Sequence, residues 1–202
     1  MILYGASGHG KVIIDILESI RTPHIEIWDD ADKAPIWEFP VMKPFHSGAA
    51  ITEPVIIGIG VNATRRKVAD KLAGKVTFGT AVHATAYISK RSVVAEGTVV
   101  MAGVTVNPDV QIGRHCIINT NCSIDHDCVI GDYAHISPNA VLSGDVHVGE
   151  GTHIGSGASV IQGIRIGKWC TIGAGAVVIK DIPDYATAVG NPAKVIKVKE
   201  PE

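Results

Sequence analysis

Among the nine histidines of this chain, one has the company that acid–base chemistry needs. His126 lies in Asn119-Thr-Asn-Cys-Ser-Ile-Asp125-His126-Asp127-Cys128, between two carboxylates. A carboxylate beside an imidazole fixes its tautomer and raises its basicity, which suits a general base near neutral pH. His135 follows nine residues later. The other histidines read more plainly. His24 and His46 stand in polar loop context, while His115, His147 and His153 occupy positions expected to face solvent, with His147 and His153 in one column.

A second chemical signal opens the chain. Gly5-Ala-Ser7-Gly8-His9-Gly10 follows an apolar run and precedes an amphipathic pattern reaching about Ile20. Glycines at a strand-to-helix junction offer backbone N–H groups and a positive helix end to a phosphate. Asp29 and Asp30 come about twenty residues on, where an acid can accept hydrogen bonds from a ribose or base. Gly58-Ile-Gly60 closes a further apolar run.

These residues need a scaffold, and the sequence announces one. From Val82 to Val178 every sixth residue is aliphatic, seventeen positions without a miss. With a third of residues aliphatic, chance would give such a run roughly once in 10⁸. Two residues before each aliphatic stands a slim side chain, and Cys116, Cys122, Cys128 and Cys170 all fall in that column. They read as small apolar packing residues, not as metal ligands or disulfide partners. Glycine follows the aliphatic at Gly113, Gly131, Gly149, Gly155, Gly167 and Gly173, where we expect tight turns with unusual dihedrals.

A six-residue period with three faces makes a triangular prism of eighteen residues per coil, so the segment predicts about five and a half coils of parallel β-helix. One and a half hexapeptides separate His126 from His135, which puts them on different faces. Two such residues would converge between neighbouring chains more readily than within one.

The first 78 residues have another rhythm: strands at 2–5, 25–28 and 55–59, a helix from the glycine loop at 5–10 to about 20, and a second helix at 64–72. That order predicts a small parallel α/β sheet of the Rossmann-like, doubly wound kind. We therefore expect an α/β unit over 1–78, a β-helix over 79–182 and a tail over 183–202.

Composition sets the outer bounds. Hydrophobic residues make up 46% of the chain and aromatics 5%, so Val, Ile and Ala must fill the core. A formal net charge of −2 gives no field for nucleic acid or a membrane surface. No apolar run reaches the ~18 residues of a membrane span. The opening MILYGASGHGK lacks the regions of a signal peptide, from which a cytoplasmic location is expected.

The stretch beginning IDHDCVIGDYAHISPNAVLSGDVHVG, with GAGAVVIKDIP, the tail VGNPAKVI and the opening YGASGHGKVIIDIL, resembles the sialic-acid O-acetyltransferase and nucleotide amino-sugar N-acetyltransferase family of hexapeptide-repeat acyltransferases. The resemblance covers nearly the whole chain. It implies a left-handed β-helix, acetyl-CoA as cosubstrate, no metal, and a homotrimer with active sites between subunits. It implies His126 as catalytic base and Asp127 as its acidic neighbour; the family carries Asp or Glu there. His135, the Gly144 N–H, Ser156 and Ala174 would serve acetyl-CoA, the last at a place where the family has glycine or another small residue. Ser7, Gly8 and His9 would contact phosphate, Asp29 and Asp30 the nucleobase, with Gly60 nearby and Asn119 close to the sugar.

The activity so implied is N-acetylation of a nucleotide-linked sugar, a UDP-linked 4-amino sugar of bacterial glycan biosynthesis. O-acetylation of sialic acid or another sugar is the alternative, and a non-enzymatic β-helix scaffold a more distant one. Zinc enzymes like the gamma-class carbonic anhydrases share the β-helix but need a His-x4-His pair. The spacings here, nine from His126 to His135 and six from His147 to His153, supply none.

Overall fold

A computed structural model describes residues 1–45 and 51–199; the expectation for His46 lies outside the described residues. Among the described residues the N-terminal layer holds four parallel strands, β1 (Ile2–Tyr4), β2 (Glu26–Trp28), β3 (Val41–Met42) and β4 (Val55–Ile57), in the order β3-β2-β1-β4. Helix α1 (Gly8–Ser19) follows β1, and α2 (Asn62–Leu72) follows β4. The chain first winds outward from β1 through β2 and β3, then returns to its other side at β4. That reversal opens a crevice at the carboxyl ends of β1 and β4, the usual ligand position in such sheets.

Seventeen two-residue strands then recur every six residues, from β5 (Ala81–Val82) to β21 (Val177–Val178). Each ends on one of the seventeen aliphatics. They stack in parallel, eighteen residues apart, into three faces. We number the faces in chain order: the first begins at Ala81–Val82, the second at Tyr87–Ile88, the third at Val93–Val94. Two longer strands, β22 (Ala186–Val189) and β23 (Lys194–Val198), pair antiparallel and extend the first face.

The aliphatic and slim columns together fill the prism. Ile118, Ile124, Ile136, Leu142 and Ile154 are fully buried, as are Cys116, Cys122 and Cys128. Burial also pushes the thiols of Cys116 and Cys122 up to about 12, so they are inert at neutral pH. Removing one such core isoleucine to alanine costs about 2–5 kcal/mol.

The glycine expectation needs correcting. Gly113, Gly131, Gly149, Gly155, Gly167 and Gly173 have no positive φ. They are glycine because the next coil is too near. A Cβ on Gly131 would stand 2.6 Å from the Glu150 nitrogen, and one on Gly149 2.5 Å from the Gly167 carbonyl carbon. The left-handed turn falls two residues later, in a column where Asp109, His115, Asn121, Asp127, Tyr133, Asn139 and Asp145 follow one another in successive hexapeptides, with glycines before and after them. Asn and Asp tolerate that region better than most residues.

The two layers share one core. Leu3, Ile13, Ile14, Ile16, Leu17 and Ile56 pack with Ala81, Val99, Met101 and Ile117 from the base of the first face. Helix α1 thus lies on the outside of that face. Further along, the outward residues change from Val99 and Ile117 to His135 and His153. The apolar half docks the N-terminal layer; the imidazole half lies open to chemistry.

Candidate active site

The second–third corner of the prism carries His126. Its Nδ1 lies 2.7 Å from Asp127 Oδ2, and its backbone N–H donates to Asp125 Oδ1 at 2.8 Å. The same Asp125 oxygen accepts from Asn107 Nδ2 at 2.7 Å, one coil below. Asp127 occupies the left-handed turn position, φ 62°, which swings its carboxylate back to the ring. With Nδ1 donating to the carboxylate, the lone pair of neutral His126 is on Nε2. The Asp127 hydrogen bond and the Asp125 charge raise the imidazole above its usual range. The ring itself is exposed.

Gly144 stacks one coil above. A Cβ there would stand 2.6 Å from His126 Cε1 and 2.8 Å from Nε2, so the ring occupies the space a side chain would need. The ladder engages the N–H of Ser143 with Val160 O and that of Asp145 with His126 O. Among the described residues the Gly144 N–H has no backbone acceptor.

His135 belongs to the first face, the side of the prism opposite the His126 corner. Its Nε2 accepts from Asn119 Nδ2 at 3.0 Å, which leaves the proton of the neutral ring on Nδ1. It stacks on His153, centroids 4.7 Å apart, and His153 Nε2 meets Ser137 Oγ at 2.7 Å. Burial, with the neighbouring His153 and Arg65, drops His135 to about 3; burial and Arg65 lower His153 too. His153 therefore pairs with His135, and His147, which faces out from the third face beside Arg165, is in another column. The expectation of a shared His147–His153 column fails because six residues move the chain to the next face. His115 is also not outward. It is 3% exposed at the third–first corner, stacked on Tyr133, since the N-terminal layer covers it.

At the mouth of the sheet crevice, Ser7 caps α1: its Oγ accepts from Gly10 N at 3.3 Å and donates to Gly58 O at 2.9 Å. No acid stands in the first turn of α1, so its positive end is not neutralised locally. Gly5, Gly10 and Gly58 are demanded by close backbone approach. Gly8 and Gly60 are not: neither has a positive φ, and a Cβ on either would meet nothing within 4 Å. His9 sits above with its Nε2 buried and, among the described residues, without a hydrogen-bond partner, and burial with the Arg65 charge lowers it to about 4. Asp29 is partly spent on the loop, accepting from Ala6 N and Ala31 N at 2.9 Å. Asp30 pairs with Tyr4 OH and Lys71, which hold its carboxyl below the usual range. Ser156 and Ala174 stack on one another at the first–second corner, both exposed.

The structure thus brings the predicted residues into separate groups: the His126–Asp127–Gly144 corner; the Asn119–His135 pair; the glycine crevice with Asp29, Asp30 and Gly60; and the Ser156–Ala174 corner. Sequence reasoning missed His153 and Arg65. His153 follows His135 by one full coil, so coil arithmetic could have found it.

Residues 1–72 match the PglD N-terminal domain, and residues 109–144 and 145–180 match the bacterial transferase hexapeptide (six repeats). The acetyltransferase domain of PglB from Neisseria gonorrhoeae FA1090, solved alone and with acetyl coenzyme A, is 34% identical. It superposes with a TM-score of 0.91 over 96% of this chain and 98% of that one. The chain belongs to the sugar N-acetyltransferases of the hexapeptide-repeat family. PerB from Caulobacter crescentus, solved with CoA and GDP-perosamine, is 36% identical, with a TM-score of 0.90 over 97% and 96% of the two chains. A curated relative in this family, UDP-N-acetylbacillosamine N-acetyltransferase of Bacillus subtilis (strain 168), is 43% identical over 112 residues, 50% of each chain. The chain spans about half the length of that relative. Among the described residues, no helix is long and apolar enough to cross a membrane.

Proposed function

We propose that this chain transfers the acetyl group of acetyl-CoA to the amine of a nucleotide-linked sugar, a UDP-linked 4-amino sugar in bacterial glycan biosynthesis. The observation that carries the reading is the exposed His126–Asp127 pair, with its free Nε2 against Gly144. The neutral amine attacks the thioester carbon, and the C–S bond breaks as the tetrahedral intermediate collapses. His126 Nε2 takes the proton of the attacking nitrogen, and the released CoA thiolate ends as the thiol. The Gly144 N–H holds the developing oxyanion. A thioester is already activated, so these steps suffice.

His135, Ser156 and Ala174 serve the coenzyme in this reading, and Asn119 the sugar. Ser7, Gly8 and His9 take the diphosphate at the α1 N-terminus, where Gly8 and Gly60 leave room. Asp29 and Asp30 flank the nucleobase. Because His126 and His135 are on opposite sides of one prism, a second chain must complete the site, and a homotrimer does so. The bound states of the PglB domain and PerB structures support both substrate classes.

Free-thiol release from acetyl-CoA, measured with UDP-, GDP- and CMP-linked amino sugars, tests the reading. Turnover with the UDP-linked 4-amino sugar and a hydroxylamine-stable product is expected. A hydroxylamine-labile product would mean O-acetylation, and no thiol release with any acceptor would sink the proposal.

A further inference from the structure

Helix α2 carries the run Arg65-Arg66-Lys67, and its first member is inside the protein. Arg65 is 1% exposed, and no carboxylate meets it among the described residues. Its donors are nonetheless filled. Nε donates to His115 O at 2.8 Å, Nη1 to Ile59 O and Gly60 O at 3.0 and 3.1 Å, and Nη2 to Asn62 Oδ1 and Tyr133 O at 2.9 and 2.8 Å. Asn62 in turn donates from Nδ2 to Gly151 O at 2.9 Å. His115, Tyr133 and Gly151 are eighteen residues apart, the same corner of three successive coils.

A buried cation is costly when apolar packing could do the same work. The two layers already share an apolar core, so docking alone does not call for Arg65. What the guanidinium adds is geometry: a planar fork fixes several oxygens at once, as a flexible ammonium does not. On one side it grips the carbonyls of Ile59 and Gly60, in the loop that closes the nucleotide crevice. On the other, the clamped carbonyls stand just before the strands leading to Asn119, His135 and His153.

We propose that Arg65 and Asn62 are positioning residues, a clamp that holds the Gly60 loop in register with the Asn119–His135–His153 face. The clamp sets the distance between the nucleotide end of the acceptor and its amine. The inference rests on the nucleotide-sugar reading above.

The experiment compares two acceptors, a UDP-linked 4-amino sugar and the same 4-amino sugar without nucleotide, each with acetyl-CoA. A misplaced binding loop costs up to 10²-fold. For the UDP-linked acceptor we therefore expect kcat/KM to fall ~10-fold in Asn62→Ala and ~10²-fold in Arg65→Gln. Arg65→Lys recovers only part of the loss, since an ammonium has three donors. Turnover of the free sugar and KM for acetyl-CoA stay within about twofold of wild type, because the coil ladder fixes Asn119, His135 and His153 through their own backbone N–H groups, to Ile136 O, Thr152 O and Cys170 O, without the clamp. If Arg65→Gln fails to fold, Asn62→Ala at the half-buried helix start still decides. Equal losses on both acceptors, or no loss on either, overturn the clamp. A wild-type enzyme that turns over neither acceptor, or shows no preference for the UDP-linked one, refutes the underlying reading and removes the clamp with it.

Discussion

His126 and His135 stand nine residues apart on one scaffold and are driven in opposite directions. His126 projects from a corner into water, with Asp127 on Nδ1 and Asp125 beside it, and its affinity for a proton rises. His135 is on a face, half-buried, stacked on a second imidazole and near the buried Arg65 cation. Its affinity falls until it titrates at about 3. One ring is built to take up a proton; the other is kept neutral and offers a fixed Nδ1–H donor. The β-helix makes this division cheap. Moving half a coil along the chain changes both the solvent and the charges a residue meets, without altering the backbone that holds it.

The sharpest way to break the comparison is to remove one ring. His126→Ala should lower kcat by ~10²–10⁴ while leaving acetyl-CoA affinity nearly unchanged. Steady-state kinetics with calorimetric coenzyme titration checks both halves; an unaltered kcat removes His126 from the role of base. A gentler change isolates the charge. Asp127→Asn keeps a residue that tolerates the left-handed φ of 62° but takes away the carboxylate. The sign is fixed by the raised proton affinity of wild-type His126. Only the neutral ring is a base, so activity rises as pH passes upward through its pKa, and losing the carboxylate must move that limb to lower pH. We expect this shift together with a kcat loss of ~10-fold at the plateau from the less firmly held ring. A pH–rate profile that does not move would detach Asp127 from His126.

Much of this contrast was legible in the residues. The six-residue ladder placed all seventeen strands and assigned the cysteines to the core, because one aliphatic per hexapeptide is a rule the prism cannot relax. It also separated His126 from His135. The turn glycines misled, because close approach of coils and left-handed turns both favour glycine, and only coordinates show that Gly131 answers to the first and Gly151 to the second. The two-residue β3 (Val41–Met42) is too short to show an alternation; its register against β2 defines it. Arg65 hid in a cationic run that reads as a solvated helix face. The stripe Arg65, Ala69, Leu72 at helical spacing was the available clue, since all three are buried. His115 was hidden differently: its cover comes from a separate layer, which no repeat arithmetic contains.

The smallest expected effect tests the other side of the comparison, the rings held neutral. His9 and His115 are lowered to about 4 and His135 to about 3, all chiefly by burial. In the unfolded chain each returns to the usual value near 6.5. Between pH 6.5 and 4 the unfolded state therefore binds protons that the folded state refuses, and stability falls as pH drops through that window. Above pH 6.5 both states leave these rings neutral, and the dependence on them vanishes. Thermal unfolding followed from pH 7.5 to 4.5 should show the midpoint steady at first and then declining. His135→Asn, which keeps a polar side chain of similar reach but cannot titrate, should lessen the decline. His126→Ala should not lessen it, because the raised affinity of His126 makes the folded state the one that holds its proton. If His126→Ala flattened the curve and His135→Asn did not, the assignment of the two environments would be reversed.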